Sequence, residues 1–375
     1  MLKVAYITNS GPKSGVGVRA LEILKQLRAL DDVAVTVFHL DGERGVAFRG
    51  GEEIFRVGSM PGILGSKTIN WIRLGRRLSR FVDDFDVVHA TNQTLSFIST
   101  SKPLVVTVHD IIELLEPQSG LSGWAARYLY SGLVGASQLI AVSQYTADTV
   151  TQKLGVPVER IALSPNATGT AFAPIPEFTT SLGYQTLRQE LRLKPDDQVV
   201  LYVGSDHPRK NVVTALSTFA AVQHDIPNTV FVKVGRAGLL AGREETLAEI
   251  DRLGIRDAAR VLDAVSTQRL NELYNLADVL LYPSLFEGFG LPPLQAMAAG
   301  TAVVTSNATS LPEVVGEAAR VCAPTDTDCL TKAVAEILGN PQLRSDMAQA
   351  GIKQAGGFSW ETSANMVRAA YDQVL

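Results

Sequence analysis

The chain has 375 residues, 46% of them hydrophobic and 19% charged, with a formal net charge of −4. That length exceeds one ordinary core and predicts two domains, and the apolar content excludes an intrinsically disordered chain. Mild acidity, with no nucleic-acid module in the sequence, excludes a field that would recruit nucleic acid.

The opening MLKVAYITNS is a lysine followed by a short strand, without the charged n-region, long apolar stretch and cleavage site of a signal peptide. No apolar run is long enough to span a bilayer, so the expected location is cytoplasmic. Short runs of Val, Ile and Leu then recur, each followed by a helical pattern. In the first half they are LKVAYIT, VAVTVFHL, DVVHAT, PLVVTVHD, QLIAVS and RIALSP. In the second they are QVVLYVGS, TVFVKVG, ARVLDAV, DVLLYPS, TAVVTSN and AARVCAP. Runs apolar at nearly every position suit parallel strands covered on both faces. Their alternation with helices predicts an α/β chain of two Rossmann-like, doubly wound domains facing across a deep cleft. The stretch ATGTAFAPIPEFTTSLGYQT, rich in Pro, Thr and Gly, reads as the connection. The expected division is 1–175, a linker at 176–197, and 198–359. The two cysteines, Cys322 and Cys329, read as small packing residues in a reducing compartment.

In open α/β folds ligands bind at the carboxyl ends of the strands. The first candidate there is NSGPKSGVGVRALEIL, where Gly15, Gly17 and Ala20 fit G-x-G-x-x-A and Asp41 follows the second strand. Read literally this is a dinucleotide fingerprint, but six residues, Asn9 to Ser14, separate the glycines from the strand. Phosphate contact and a plain flexible loop both remain open. In VTVHDIIELLEP, His109 and Asp110 close a strand, and a histidine there can donate to a substrate oxygen or simply cap the sheet. In YVGSDHPRKN, a strand ends at Gly204 and Ser205 and the loop carries Arg209 and Lys210 ahead of a helix, an arrangement suited to a diphosphate.

The segment SLFEGFGLPPLQAMAAG is the most chemically pointed of the chain. Glu287 stands at a strand end, where a carboxylate accepts hydrogen bonds from neutral sugar hydroxyls. Gly288 and Gly290 permit close backbone approach by the amides of Phe289, Gly290 and Leu291. Pro292 and Pro293 suit the first turn of the helix that carries Gln295. Elsewhere NWIRLGRRLSRFVDD sets Trp71, Leu74, Leu78 and Phe81 at helical spacing, with Arg73, Arg76, Arg77 and Arg80 on other faces. A basic amphipathic helix can lie on an anionic membrane; a core-facing helix with a solvated arginine face is the favoured alternative.

The block RLNELYNLADVLLYPSLFEGFGLPPLQAMAAGTAVVTSNATSLPEVVGEAA strongly resembles the retaining GT4-family glycosyltransferases of GT-B fold, and within them the mannosyltransferase-like branch. GSDHPRKN, VTVHD, AVSQYTADTV and LSPNATGTAF are similar to that family's other blocks in the same order. The resemblance implies transfer of a sugar from a nucleotide-sugar donor, a GDP- or UDP-sugar, to an acceptor hydroxyl that is lipid-linked or part of a polysaccharide. It implies that Glu287 and the Phe289, Gly290 and Leu291 amides hold the donor sugar, that Lys210 and Arg209 hold the diphosphate, and that Gly15 and Gly17 lie beside it. His109 would contact the sugar near the reacting carbon, residues 360–375 would cross back to the first domain, and the enzyme could sit peripherally at the inner membrane surface. Two departures stand out. Ser205 occupies the position where many members carry arginine, and Gln295 replaces the second glutamate of the family's E-x7-E pair, which usually accepts from the ribose hydroxyls. Glutamine keeps one acceptor oxygen and loses the charge.

With no evident carboxylate nucleophile, retention implies same-face attack in which the leaving phosphate takes the acceptor's proton. No carboxylate cluster for a divalent metal is apparent, which implies a metal-independent site without cofactors. Two alternatives remain: an NAD(P)-dependent oxidoreductase using Gly15, Gly17, Ala20 and Asp41, and a non-catalytic sugar-nucleotide-binding subunit, which Gln295 would allow.

Overall fold

The computed structural model describes residues 1–11, 14–49, 52–56, 58, 66–115, 127–128, 130–238 and 240–375. Pro12 and Lys13 of the first glycine loop, and the end of VTVHDIIELLEP, lie outside them. The chain divides into two compact units, Met1–Asn166 with Trp360–Leu375, and Ala167–Ser359.

The first unit holds an eight-stranded sheet: β1 (Leu2–Thr8), β2 (Val33–Asp41), β3 (Val46–Arg49), β4 (Glu52–Arg56), β5 (Val87–Ala90), β6 (Leu104–Val108), β7 (Gln138–Ala141) and β8 (Ile161–Leu163). Their order is β4-β3-β2-β1-β5-β6-β7-β8. Strands β5, β6 and β7 are buried at every position, as the continuous apolar runs require of strands covered on both faces. The sequence reading missed β3 and β4, which add antiparallel to the β2 edge. Both are short and interrupted by charge, so no continuous apolar run marks them.

The helix Trp360–Asp372 completes this unit. Its buried Trp360, Val367 and Tyr371 face the strands, and Tyr371 hydroxyl lies 2.6 Å from Nδ1 of buried His89. Ser363 exchanges hydrogen bonds with Ser164 and the Pro165 carbonyl at 2.9 and 2.6 Å, and Arg368 pairs with Asp32 at 2.8 Å.

The second unit holds a six-stranded parallel sheet: β9 (Gln198–Val203), β10 (Thr229–Val234), β11 (Ala259–Leu262), β12 (Val279–Tyr282), β13 (Ala302–Ser306) and β14 (Arg320–Cys322). Its order, β11-β10-β9-β12-β13-β14, is the doubly wound 3-2-1-4-5-6 pattern when counted from β9. The direction of winding reverses between β9 and β12, the switch point at whose strand ends ligands bind in such folds. Val200, Tyr202, Phe219, Phe231, Leu281 and Val304 fill the core of this unit.

Two sequence expectations change here. Residues 176–197 are folded: Phe178–Thr180 forms a 3-10 turn and Leu182–Glu190 a helix, with Phe178 and Leu187 buried inside the second unit. Ser181 caps that helix by accepting from the Tyr184 amide at 3.1 Å, a signal hidden among the Pro, Thr and Gly of the segment. Cys322 and Cys329 are joined as a disulfide, and no cysteine is free. The end of β14 and the first turn of the Thr327–Gly339 helix bring them together, so they are not independent packing residues.

Candidate functional site

The loop after β9 is held from below by a buried ion cluster. Lys233, on β10, and Asp206 have side chains with 0% exposure and pair at 2.9 Å. Asp206 also takes Arg243 Nε at 2.8 Å and Thr246 Oγ1 at 2.7 Å, and Lys233 donates to the Gly204 carbonyl at 3.2 Å. A carboxylate in such a place is retained only because every lone pair finds a donor. The loop cannot move without breaking that set. Gly204 and Gly235 approach so closely that a Cβ on Gly235 would stand 2.0 Å from the Gly204 carbonyl oxygen. Ser205 lies between them and the 3-10 turn Pro208–Lys210.

This turn is then tied to the neighbouring strand end. Asn211, in the left-handed region at φ 56°, donates to the carbonyls of Pro283 and Pro324, each at 2.8 Å. The Arg209 carbonyl accepts from the Leu285 amide at 2.8 Å. Tyr202 donates to the Lys210 carbonyl at 2.8 Å. The loops after β9 and β12 therefore form one rigid rim at the switch point.

On that rim, Glu287 meets both cations. It is 6% exposed. Its Oε1 receives Lys210 Nζ at 2.6 Å, Tyr282 hydroxyl at 2.6 Å and Ser284 Oγ at 2.7 Å. Its Oε2 has Arg209 NH1 at 3.6 Å, and Arg209 also donates to the Phe286 carbonyl at 3.1 Å. Burial pushes the Glu287 carboxyl up, but the charges of Lys210 and Arg209 and the hydrogen bonds from Lys210 and Tyr282 outweigh it and hold it below the usual carboxylate range. The site thus presents a fixed anion beside two cations, Arg209 being the more exposed of them.

Behind Glu287 the EGFG turn is pinned by Ser310 Oγ, which donates to the Glu287 and Phe289 carbonyls at 2.9 and 2.8 Å. Gly290 sits at φ 113°, where a Cβ would stand 2.8 Å from Leu311 Cδ2. Since Pro292 and Pro293 carry no N–H, the first turn of the Leu291–Ala298 helix is left with the Leu291 amide as its own early donor. Gln295 Oε1 accepts from the buried Tyr274 hydroxyl at 3.2 Å, which takes one of its two lone pairs and leaves the other, with the Nε2 hydrogens, for a ligand.

In the first unit, His109 follows β6 and is 7% exposed. Its Nε2 lies 3.0 Å from the Thr91 carbonyl, which can only accept, so Nε2 carries the proton. Burial and the Arg19 charge pull its pKa down to about 3 against that bond. The imidazole is therefore neutral near pH 7, with Nδ1 an acceptor. Asp110 instead turns the chain, accepting from the Ile112 amide at 3.2 Å. Gly15 opens the Gly15–Arg28 helix. Gly17 is there for packing: a Cβ would stand 1.9 Å from the Gly11 carbonyl oxygen, and its amide is capped by Ser14 Oγ at 3.0 Å. That amide is engaged within the loop. Asp41 accepts from the amides of Glu43 and Arg44 at 3.0 and 3.1 Å, so the acidic residue of a dinucleotide fingerprint is occupied in a turn. Both facts remove the basis of the oxidoreductase alternative.

Sequence reasoning missed Tyr282, Ser284, Asn211 and the Asp206–Lys233–Arg243 cluster. Only Lys233 left a signal, a lysine inside the otherwise apolar TVFVKVG that needs a buried partner. Among the described residues, no group of three or more His, Cys, Asp or Glu is placed to hold a metal ion, and no helix is long and apolar enough to cross a membrane.

Comparison with known proteins gives the family and the fold. Residues 184–354 match the family described as glycosyl transferases group 1, and residues 13–172 match glycosyltransferase family 4. The chain is 31% identical over 81% of its length to the MMP alpha-(1->4)-mannosyltransferase of Mycolicibacterium hassiacum, covering 74% of that protein. It is 26% identical over 99% of both chains to the O-antigen chain mannosyltransferase B of Escherichia coli. It is 28% identical over 79% of its length to the serotype-specific mannosyltransferase WbdA of Escherichia coli, spanning 37% of that longer protein. Among solved structures, sucrose-phosphate synthase from Thermosynechococcus elongatus superimposes with a TM-score of 0.80 at 19% identity, covering 100% of this chain and 99% of that one. Anabaena HepE in complex with UDP and glucose gives 0.77 at 21% identity, covering 98% and 99%. These neighbours share the GT-B fold. The chain belongs to the group 1, family 4 glycosyltransferases and is a GT4 glycosyltransferase of the mannosyltransferase-like kind.

Proposed function

We propose that this glycosyltransferase moves a hexose, mannose in the first instance, from a nucleoside-diphosphate sugar to an acceptor hydroxyl with retention at the anomeric carbon. One observation carries the reading: at the switch point of the second sheet, a buried carboxylate, Glu287, is fixed beside two cations, Lys210 and Arg209. A nucleotide sugar offers the complement, hydroxyls for the carboxylate and a diphosphate for the cations.

As the reaction proceeds, the bond from the anomeric carbon to the β-phosphate oxygen breaks and negative charge gathers on the departing diphosphate. Lys210 and Arg209, with the amides of Phe289, Gly290 and Leu291, stabilise that charge from fixed positions. The acceptor oxygen bonds to the same face of the anomeric carbon, and its proton passes to the leaving phosphate oxygen. No protein nucleophile is required. His109, as a neutral acceptor, suits a carbohydrate hydroxyl, and Gln295 offers one remaining lone pair and an amide donor where the family's glutamate would accept with a full charge. The mannosyltransferases among its relatives support mannose as the sugar, and the UDP and glucose bound to HepE keep UDP-sugars beside GDP-sugars as donors.

The acceptor belongs to the polysaccharide or lipid-linked class. Ile69 of the Ser66–Leu78 helix and Phe81 after it stay 38% and 39% exposed, but Leu74 and Leu78 at 0% commit most of the apolar face to the core. Membrane contact would then be electrostatic, through the exposed Arg73, Arg76, Arg77 and Arg80. A thermal-shift panel of GDP, UDP, ADP and their sugars tests the donor, because a tight binder raises Tm by mass action. Release of nucleoside diphosphate with an acceptor present tests turnover and separates an enzyme from a binding subunit. A panel in which no nucleotide sugar stabilises the chain would rule the reading out.

A further inference from the structure

Tyr282, the last residue of β12, carries a hydroxyl that the reaction above does not use. The residue is 0% exposed and its ring packs 6.3 Å from that of Tyr202, where a phenylalanine would fill the same space. A hydroxyl buried there is tolerated only if it is bonded. Its two bonds go to the two residues of opposite charge: Lys210 Nζ donates to it at 2.8 Å and it donates to Glu287 Oε1 at 2.6 Å. Lys210 reaches the same Oε1 at 2.6 Å, so ammonium, phenol and carboxylate close a triangle, with Ser284 Oγ a further donor at 2.7 Å. Three donors on one oxygen saturate it and fix the rotation of the carboxylate plane. Oε2, with Arg209 at 3.6 Å, is the oxygen with acceptor capacity left.

We propose that Tyr282 is a positioning residue for glycosyl transfer: by bridging Lys210 and Glu287 it locks the carboxylate with Oε2 presented to a hydroxyl of the donor sugar and holds the ammonium beside the diphosphate. This rests on the sugar-transfer reading above, and its apo test does not. Burial and the Glu287 charge drive the Tyr282 phenol well above its ordinary value, so it stays a donor throughout the working pH range. The charged and titratable groups that face Glu287 are Lys210 and Arg209 after β9, Tyr282 on β12 and Tyr202 on β9; Thr309 and Ser310, after β13, are neutral.

The test uses the full chain with Tyr282→Phe, and with Tyr202→Phe as comparator, since that hydroxyl bonds the Lys210 main-chain carbonyl and no carboxylate. In the ligand-free protein, a carboxyl 13C titration of Glu287 should shift upward by about one pH unit in Tyr282→Phe, the effect of losing one charge-assisted hydrogen bond, and stay in place in Tyr202→Phe. With GDP-mannose as probe, kcat should fall about tenfold, the acid limb of kcat/KM should rise with the titration, and inhibition by GDP should change less than kcat. Ser284→Ala removes another donor from Oε1 and should move the titration the same way, which keeps the proposal testable if Tyr282→Phe folds poorly. An unmoved midpoint, or an equal shift in Tyr202→Phe, overturns it. A parent enzyme inert on every nucleotide sugar would sink the functional reading instead, with the titration still deciding the role of Tyr282.

Discussion

Replacing Lys210 by methionine should destabilise the second unit in a pH-dependent way. Lys210 and Glu287 have side chains 13% and 8% exposed and pair at 2.6 Å. Removing one partner of a buried pair costs about 3–5 kcal/mol, because the other charge is left in a poor medium. Glu287 would keep Tyr282, Ser284 and, at 3.6 Å, Arg209. The lower end therefore applies, about 3 kcal/mol, or about 6–12 °C in Tm for a domain of this size. The sign with pH follows from the two titrations. In the parent, the folded pKa of Glu287 is depressed, so its contribution is present above the unfolded value of 4.5 and is lost only as pH falls through the folded one. In Lys210→Met the main opposing charge is gone and burial raises the carboxyl above its ordinary range, so protonation relieves the penalty as pH falls. The Tm gap between parent and variant should be widest near pH 7.5 and narrow toward pH 5. Adding Glu287→Gln to Lys210→Met should recover much of the loss, since a neutral amide replaces the stranded charge. Differential scanning fluorimetry at both pH values reads all three proteins. A gap independent of pH, or a double variant no more stable than the single, would refute the argument.

Other expectations follow from single contacts. Gln295→Glu restores a charged acceptor beside Tyr274, which burial keeps protonated, and should tighten donor binding about fivefold, one hydrogen bond's worth; an unchanged donor KM would count against a ribose role at this position. Replacing Cys322 and Cys329 by serine opens a loop of sequence separation 7 and should lower stability by about 2–3 kcal/mol, read as an earlier midpoint in urea; equal midpoints for oxidised parent and variant would contradict the pairing. Arg76→Glu/Arg77→Glu should abolish flotation with vesicles rich in anionic lipid, and the parent's flotation should weaken with salt; equal flotation of both would remove membrane contact through this helix.

Much of the architecture was legible because parallel strands in the middle of a sheet leave continuous apolar runs, and even β8, β11 and β14, which are only partly buried, keep short ones. The antiparallel β3 and the edge strand β4 were not, since strands of four and five residues that carry charge leave no such run. The helix Leu182–Glu190 was masked by its turn-rich surroundings, although Ser181 is a proper cap. At the site, Glu287, Lys210 and Arg209 could be found because charge in a strand-end loop is conspicuous. Tyr282 and Ser284 could not, since in DVLLYPS they read as the tail of a buried strand, and only geometry shows both hydroxyls on one carboxylate oxygen. The tautomer of His109 was likewise invisible, because it depends on the Thr91 carbonyl, distant in sequence.

The most direct test of the central claim compares how Glu287→Gln binds the nucleotide selected by thermal shift and that same nucleotide carrying its sugar. Isothermal titration should show the sugar nucleotide weakened about tenfold while the bare diphosphate changes by no more than about twofold, because the carboxylate serves the carbohydrate and the cations serve the phosphates. Equal losses for both ligands, or none for either, would contradict the account.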